Sequence, residues 1–189
     1  MWKEFIVFIH ALATVSGMGT AIFLQIHAAL YLVHEVRIRD QKIYEIGHKV
    51  IMISLGILVL SGLGFLIYYA ANAPETLSNE KIYGKSLMVV LLILNGIVVH
   101  KKVQDTLKTQ VGKGIFEGMP FQQIRAFFYN GTLSISFWGL IFILGTFRTL
   151  NNVFGIEIYI ATIISILILS GGVAHILAVF ELRRQNKQK

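Results

Sequence analysis

Six histidines, at positions 10, 27, 34, 48, 100 and 175, stand in a chain of 189 residues that has no cysteine. Imidazole is a ligand for zinc, copper, nickel and iron, and it holds haem iron in helical bundles. Without thiolate, the available metal chemistry is that of nitrogen ligands, and disulfides and sulfur-bound iron clusters are excluded. No HExxH pattern accompanies the histidines, the one ExxH (Glu45 to His48) has no second copy, and carboxylates are scarce between the loops. This argues against a zinc protease or a carboxylate-bridged di-iron site.

The setting makes these rings unusual. Residues 9–34, "IHALATVSGMGTAIFLQIHAALYLVH", are long and apolar enough to cross a bilayer, yet contain three of them. Polar groups at membrane depth usually face a bundle interior and mark function. At about 100° per residue, His10, Thr14, Gly17, Ala21 and Ala28 share one helical face, and His27 and His34 share a second. Small residues beside a histidine leave room for a flat ring, and equally for a close helix. Gly171 and Gly172 precede His175 in the same manner, whereas "SGLG" at 61–64 has no histidine near it in sequence and reads as a packing surface.

The elements that must position these residues follow from hydropathy. The chain is 55% hydrophobic and 14% charged, against roughly 25% charged in a soluble domain. A spanning helix needs about 20 apolar residues. Five segments qualify: about 5–34, 49–70, 84–100, 127–147 and 156–182. The expected fold is a single all-α integral membrane domain of five transmembrane helices forming a bundle. Arg37, Arg39, Lys42 and Lys49, then Lys101, Lys102, Lys108, Lys113 and Arg125, then Arg183, Arg184, Lys187 and Lys189 fall on one side. Only Lys3, Lys81, Lys85 and Arg148 fall on the other. The positive-inside rule then predicts the N-terminus outside and the C-terminus cytoplasmic, in the inner (cytoplasmic) membrane of the cell. The net charge of +7 therefore reads as topology-setting, and no nucleic-acid partner is expected. The first span is too long for a cleavable signal peptide. The 101–126 segment is the longest loop, with "GKGIFEGMP" a turn-rich break and "FQQIRAFFYN" lying along the interface.

Depth counting puts His10, Lys85 and Glu157 in the outer half. His27, His34, His48, His100 and His175 gather toward the inner face. His27 and His175 match in depth and could form a bis-imidazole pair. His34, His48 and His100 form a second set nearer the surface.

Two stretches carry a family resemblance. "FIHALATVSGMGTAIFL" (8–24) resembles the first helix of HemJ-type protoporphyrinogen oxidases and CopD-type copper-resistance membrane proteins. "GKSLMVVLLILNGIVVHKK" (84–102) resembles their later helix that opens on a lysine, and "LVLSGLGFL" (58–66) is similar to their second helix. The resemblance spans roughly residues 5–105 and implies haem b, with His10 and Lys85 tied to cofactor and activity. A fifth span carrying His175, and the extra inner histidines, depart from that pattern.

The leading expectation is a b-type haem protein with one or two haems and a redox, electron-transfer or gas-sensing role, a membrane haem oxidoreductase among the forms this could take. His10, His27 and His175 are the candidate iron ligands. Lys85 would hold a propionate or act as a second ligand, and His100 joins the cofactor-binding set. The bilayer, a quinone or porphyrin substrate and a small homo-oligomer are the expected partners. A CopD-like metal or ion transporter with a histidine relay is the alternative; metal in a colourless preparation would mark it. A structural or assembly subunit is the third reading, marked by loss of all six histidines without spectral change.

Overall fold

The computed structural model describes residues 1–30, 34–151 and 153–188. Five long helices run through them: α1 (Trp2–Leu30), α2 (Ile38–Asn72), α3 (Glu80–Thr109), α4 (Phe121–Thr146) and α5 (Ile156–Gln188). Each is long and apolar enough to cross a membrane, so the chain is a multi-pass membrane protein by length and composition. Hydrocarbon offers backbone groups no partners, and a helix satisfies them internally.

The helices extend past the predicted spans. α2 begins at Ile38 rather than near 49, α3 continues past His100 to Thr109, and α4 starts at Phe121 rather than 127. The expected interfacial stretch "FQQIRAFFYN" is thus the start of α4, and the loop before it shrinks to residues 110–120. At the other extreme, α1 closes at Leu30, and residues 31–33 of the predicted first span lie outside the described residues.

Local chemistry sets the ends. The Asp40 carboxylate accepts the Arg37 backbone N–H at 2.7 Å, satisfying a donor at the start of α2. Asn79 caps α3 by accepting from the Lys81 N–H at 3.1 Å. Pro120 stands at the N-cap of α4, and Gly112 and Gly118 turn the chain with φ of 79° and 73°, where a Cβ would be strained.

The helices alternate up and down. α1 packs on α2, α2 on α3, α3 on α4 and α4 on α5, while α1–α4 and α3–α5 contacts close the bundle. The basic segments therefore gather at one end. There Val36 and Val111 bridge two loops, Gln41 donates to the Leu107 carbonyl at 3.0 Å, and Gln185 donates to the Phe116 carbonyl at 2.9 Å. At the opposite end Lys3 lies over the Tyr68 and Tyr69 rings, and the Glu80 carboxylate accepts the Ile156 N–H.

Two apolar clusters fill the interior. One surrounds Trp138, Phe137, Met88 and Leu55; the other, at the basic end, surrounds Phe116, Ile115, Leu107 and Ile124. Large apolar side chains such as Phe23, Leu60, Leu94, Ile168 and Phe180 face outward, where lipid would cover them.

The small-residue face of α1 is a packing surface. Gly17 lies so close to the Trp138 ring that no Cβ fits between them, and Ser54 presses on the same spot. The room predicted for a flat cofactor along this stripe is taken by α4.

Candidate functional site

The histidines sort into distinct environments. His10, half-buried on α1, contacts α2: its Nδ1 lies 2.8 Å from the Ser61 hydroxyl oxygen, and its ring meets the edge of Phe65. Ser61 has one hydroxyl proton, and it goes to the Ile57 carbonyl at 2.6 Å. With the serine proton so placed, the tautomer that fits is the one in which Nδ1–H donates to the hydroxyl oxygen. Nε2 has no hydrogen-bond partner among the described residues. A metal-binding imidazole is prepared in this manner, one nitrogen anchored and the other open.

The "SGLG" segment, read from sequence as packing alone, therefore supplies the histidine's anchor. The two are 51 positions apart in the chain, and sequence proximity could not reveal the pairing. Lys85, half-buried on α3, lies within electrostatic reach of His10.

Lys81, one turn earlier on α3, has a separate task. It is 3% exposed and donates to the Phe147 carbonyl at 2.8 Å and the Asn151 side chain at 2.9 Å. It ties α3 to the end of α4. Beside it, the Tyr159 ring packs on Gly84, and the Tyr159 hydroxyl is buried without a hydrogen bond among the described residues.

His27 and His175 have different surroundings. His27 lies 3.6 Å from the Asp40 carboxylate, stacks on Phe23 and approaches Tyr44, whose hydroxyl donates to the Leu24 carbonyl at 2.9 Å. His175 is exposed on α5, edge-on to Phe121, beside a shallow cleft bordered by Arg125, Tyr129 and Gly171. His34 is exposed beyond the end of α1, its Nδ1 3.2 Å from the Leu30 carbonyl.

His48 on α2 and His100 on α3 form a pair. Their rings stack with centroids 4.0 Å apart and planes 18° from parallel. They border a small cavity among α1, α2, α3 and α4 of about 70 Å³. Leu24, Ile51, Val103 and Phe127 form apolar walls, and Gln25, Gln104, Asn130 and Ser134 add polar groups. The Gln104 Nε2 is buried with no hydrogen-bond partner among the described residues.

Among the described residues, no three His, Asp or Glu side chains gather closely enough to hold a bare metal ion. A porphyrin brings four nitrogens of its own, so one or two protein ligands complete an iron site. No family model, no curated protein and no solved structure matches this chain.

Proposed function

We propose that the chain is a b-type haem protein of the cytoplasmic membrane, oriented with its N-terminus outside, that serves in electron transfer or oxidation of a membrane substrate. The observation that carries this reading is the His10–Ser61 hydrogen bond, because it leaves Nε2 as an anchored, unprotonated donor within the bundle.

In this reading His10 holds the iron. Lys85 provides a cation for a propionate or a second ligand, and Phe65 provides an apolar edge to the site. Haem, when bound, supplies one-electron chemistry. The chain's own residues anchor the imidazole through Ser61 and set its direction. The resemblance of residues 8–24 and 84–102 to HemJ-type and CopD-type helices supports the same pair.

The test is optical. Protein purified from cells supplied with iron should show a Soret band that sharpens and shifts on reduction. His10→Ala should remove or shift that band, while His34→Ala should leave it alone. A colourless preparation that cannot be reconstituted with haem, or a band indifferent to His10→Ala, overturns the reading.

A further inference from the structure

The open cleft between α4 and α5 is lined by Arg125 and Tyr129 on one helix and by Gly171, Ala174 and His175 on the other. Arg125 and Tyr129 are one turn apart, as are Gly171 and His175, so each pair shares a helical face. The two helices run in opposite directions. Tyr129 stands opposite Gly171, its ring 4.0 Å from where a Cβ would be. Arg125 consequently stands near His175, and both meet Phe121. The guanidinium lies 6.0 Å from the centre of that ring, and the imidazole approaches its edge with centroids 5.4 Å apart.

The donors of this cleft suit a phosphate. Arg125 has no carboxylate partner among the described residues, and neither the Tyr129 hydroxyl nor the His175 ring has a hydrogen bond there. A guanidinium presents a fixed fork of N–H groups that matches phosphate oxygens, a phenol adds an O–H, and even a neutral imidazole adds an N–H. No Asp or Glu lines the cleft, so an anion meets no repulsion and a headgroup ammonium meets no counter-charge. The space of about 510 Å³ is within the range of small-molecule sites.

Position decides where the phosphate comes from. Arg125 is one turn into α4, at the end of the bundle where the basic segments gather. Deeper along the same face of α5, Ile168 is 67% exposed. A phosphate seated at Arg125 therefore has an apolar strip below it on which acyl chains can lie. A free ion would gain nothing from that strip. Basic pockets between membrane helices near one face hold anionic headgroups by this combination of charge and apolar surface.

We propose that this cleft binds the phosphate of an anionic phospholipid. Arg125 grips two phosphate oxygens, Tyr129 and His175 donate to the headgroup, and the bare backbone at Gly171 leaves it room. The proposal is independent of whether His10 holds iron and of which side of the membrane the basic end faces.

The test uses the full chain in detergent, titrated with phosphatidylglycerol or with phosphatidylcholine of the same acyl chains and read by native mass spectrometry. One phosphatidylglycerol per chain should be retained in preference to phosphatidylcholine. Arg125→Gln should weaken that retention roughly tenfold through loss of a charge-assisted hydrogen bond. Gly171→Leu fills the cleft without altering any charge and should also weaken it. Lys113→Gln, a cation of the preceding loop, should change it little. Helix content and gel filtration confirm folding; should one cleft variant fail, the other carries the test, and the preference of the native chain decides by itself. Equal retention of the two lipids, native retention in the folded cleft variants, an equal loss in Lys113→Gln, or displacement of the lipid by millimolar inorganic phosphate overturns the proposal.

Discussion

The Lys81 ammonium donates to the backbone carbonyl of Phe147 at 2.8 Å, joining the start of α3 to the end of α4. A charged donor with a fixed carbonyl is among the stronger hydrogen bonds a protein makes. Lys85, four residues on, lies within electrostatic reach of both His10 and Lys81. In the proposed function Lys81 ties helices together and Lys85 serves the cofactor.

That division is testable. Lys81→Met should lower stability by about 2 kcal/mol, since it strips a carbonyl and the Asn151 side chain of their charged donor. Lys85→Met should leave the thermal midpoint in detergent nearly unchanged while altering haem content or spectrum. Thermal unfolding of both variants, alongside their absorption spectra, checks the assignment. Equal losses of stability would refute it.

Ser61 provides a finer probe of His10. Ser61→Ala leaves Nδ1 without its acceptor, so the ring loses its enforced tautomer. Loss of such an outer partner typically costs 10–100-fold in metal affinity. Haem titration of the apoprotein should show weakening of that order, with Ser61→Thr retaining most of the affinity. An unchanged affinity in Ser61→Ala would detach the serine from the site.

The glycines should separate into two classes. Gly17→Val drives a side chain into the Trp138 ring and should cost about 1–3 kcal/mol. Gly19→Ala meets open space, with nothing within 4 Å, and should be neutral or stabilise by about 0.5–1 kcal/mol through helix propensity. Chemical or thermal denaturation in a single detergent provides the comparison.

Orientation can be read with single cysteines, because the native chain contains none. Glu75→Cys, in the turn between α2 and α3, should react with a membrane-impermeant maleimide in intact cells. Lys113→Cys, in the loop before α4, should react only after the membrane is opened. The reverse pattern would invert the proposed topology.

The five spans were legible because hydropathy reports which residues avoid water. It does not report where backbone hydrogen bonds stop. α2 continues through "IRDQKIYEIGHK" as a polar helix, stabilised in part by the Glu45–Lys49 pair at 2.7 Å, and nothing apolar marks its start. The same holds for α3 beyond His100. The break before α4 was legible in "GKGIFEGMP", but the helix begins right after Pro120, six residues before the predicted span.

At the candidate sites, residue type was legible and partnership was not. His10 and Lys85 were expected at the same depth, and Lys85 lies within electrostatic reach of the ring. His48 and His100 were grouped by depth with His34, but only the first two meet; His34 lies past the last turn of α1. Ser61 escaped notice as a partner of His10 because a serine gains its partners only from what the fold sets opposite. The spacing of α1's small residues suggested either a ring or a helix, and that ambiguity is resolved only by the shape of Trp138.

The gathering of basic segments at one end of the bundle has a consequence for the molecule's life in the membrane. The loops and tail at that end carry thirteen of the seventeen lysines and arginines. Inverting the finished protein would drag this crowd of cations through oil, each at a cost of about 2.5–3.5 kcal/mol or more at the bilayer centre. Once inserted, the bundle has no thermal route to turn over. Each leaflet therefore meets the same face of the protein for as long as the chain survives.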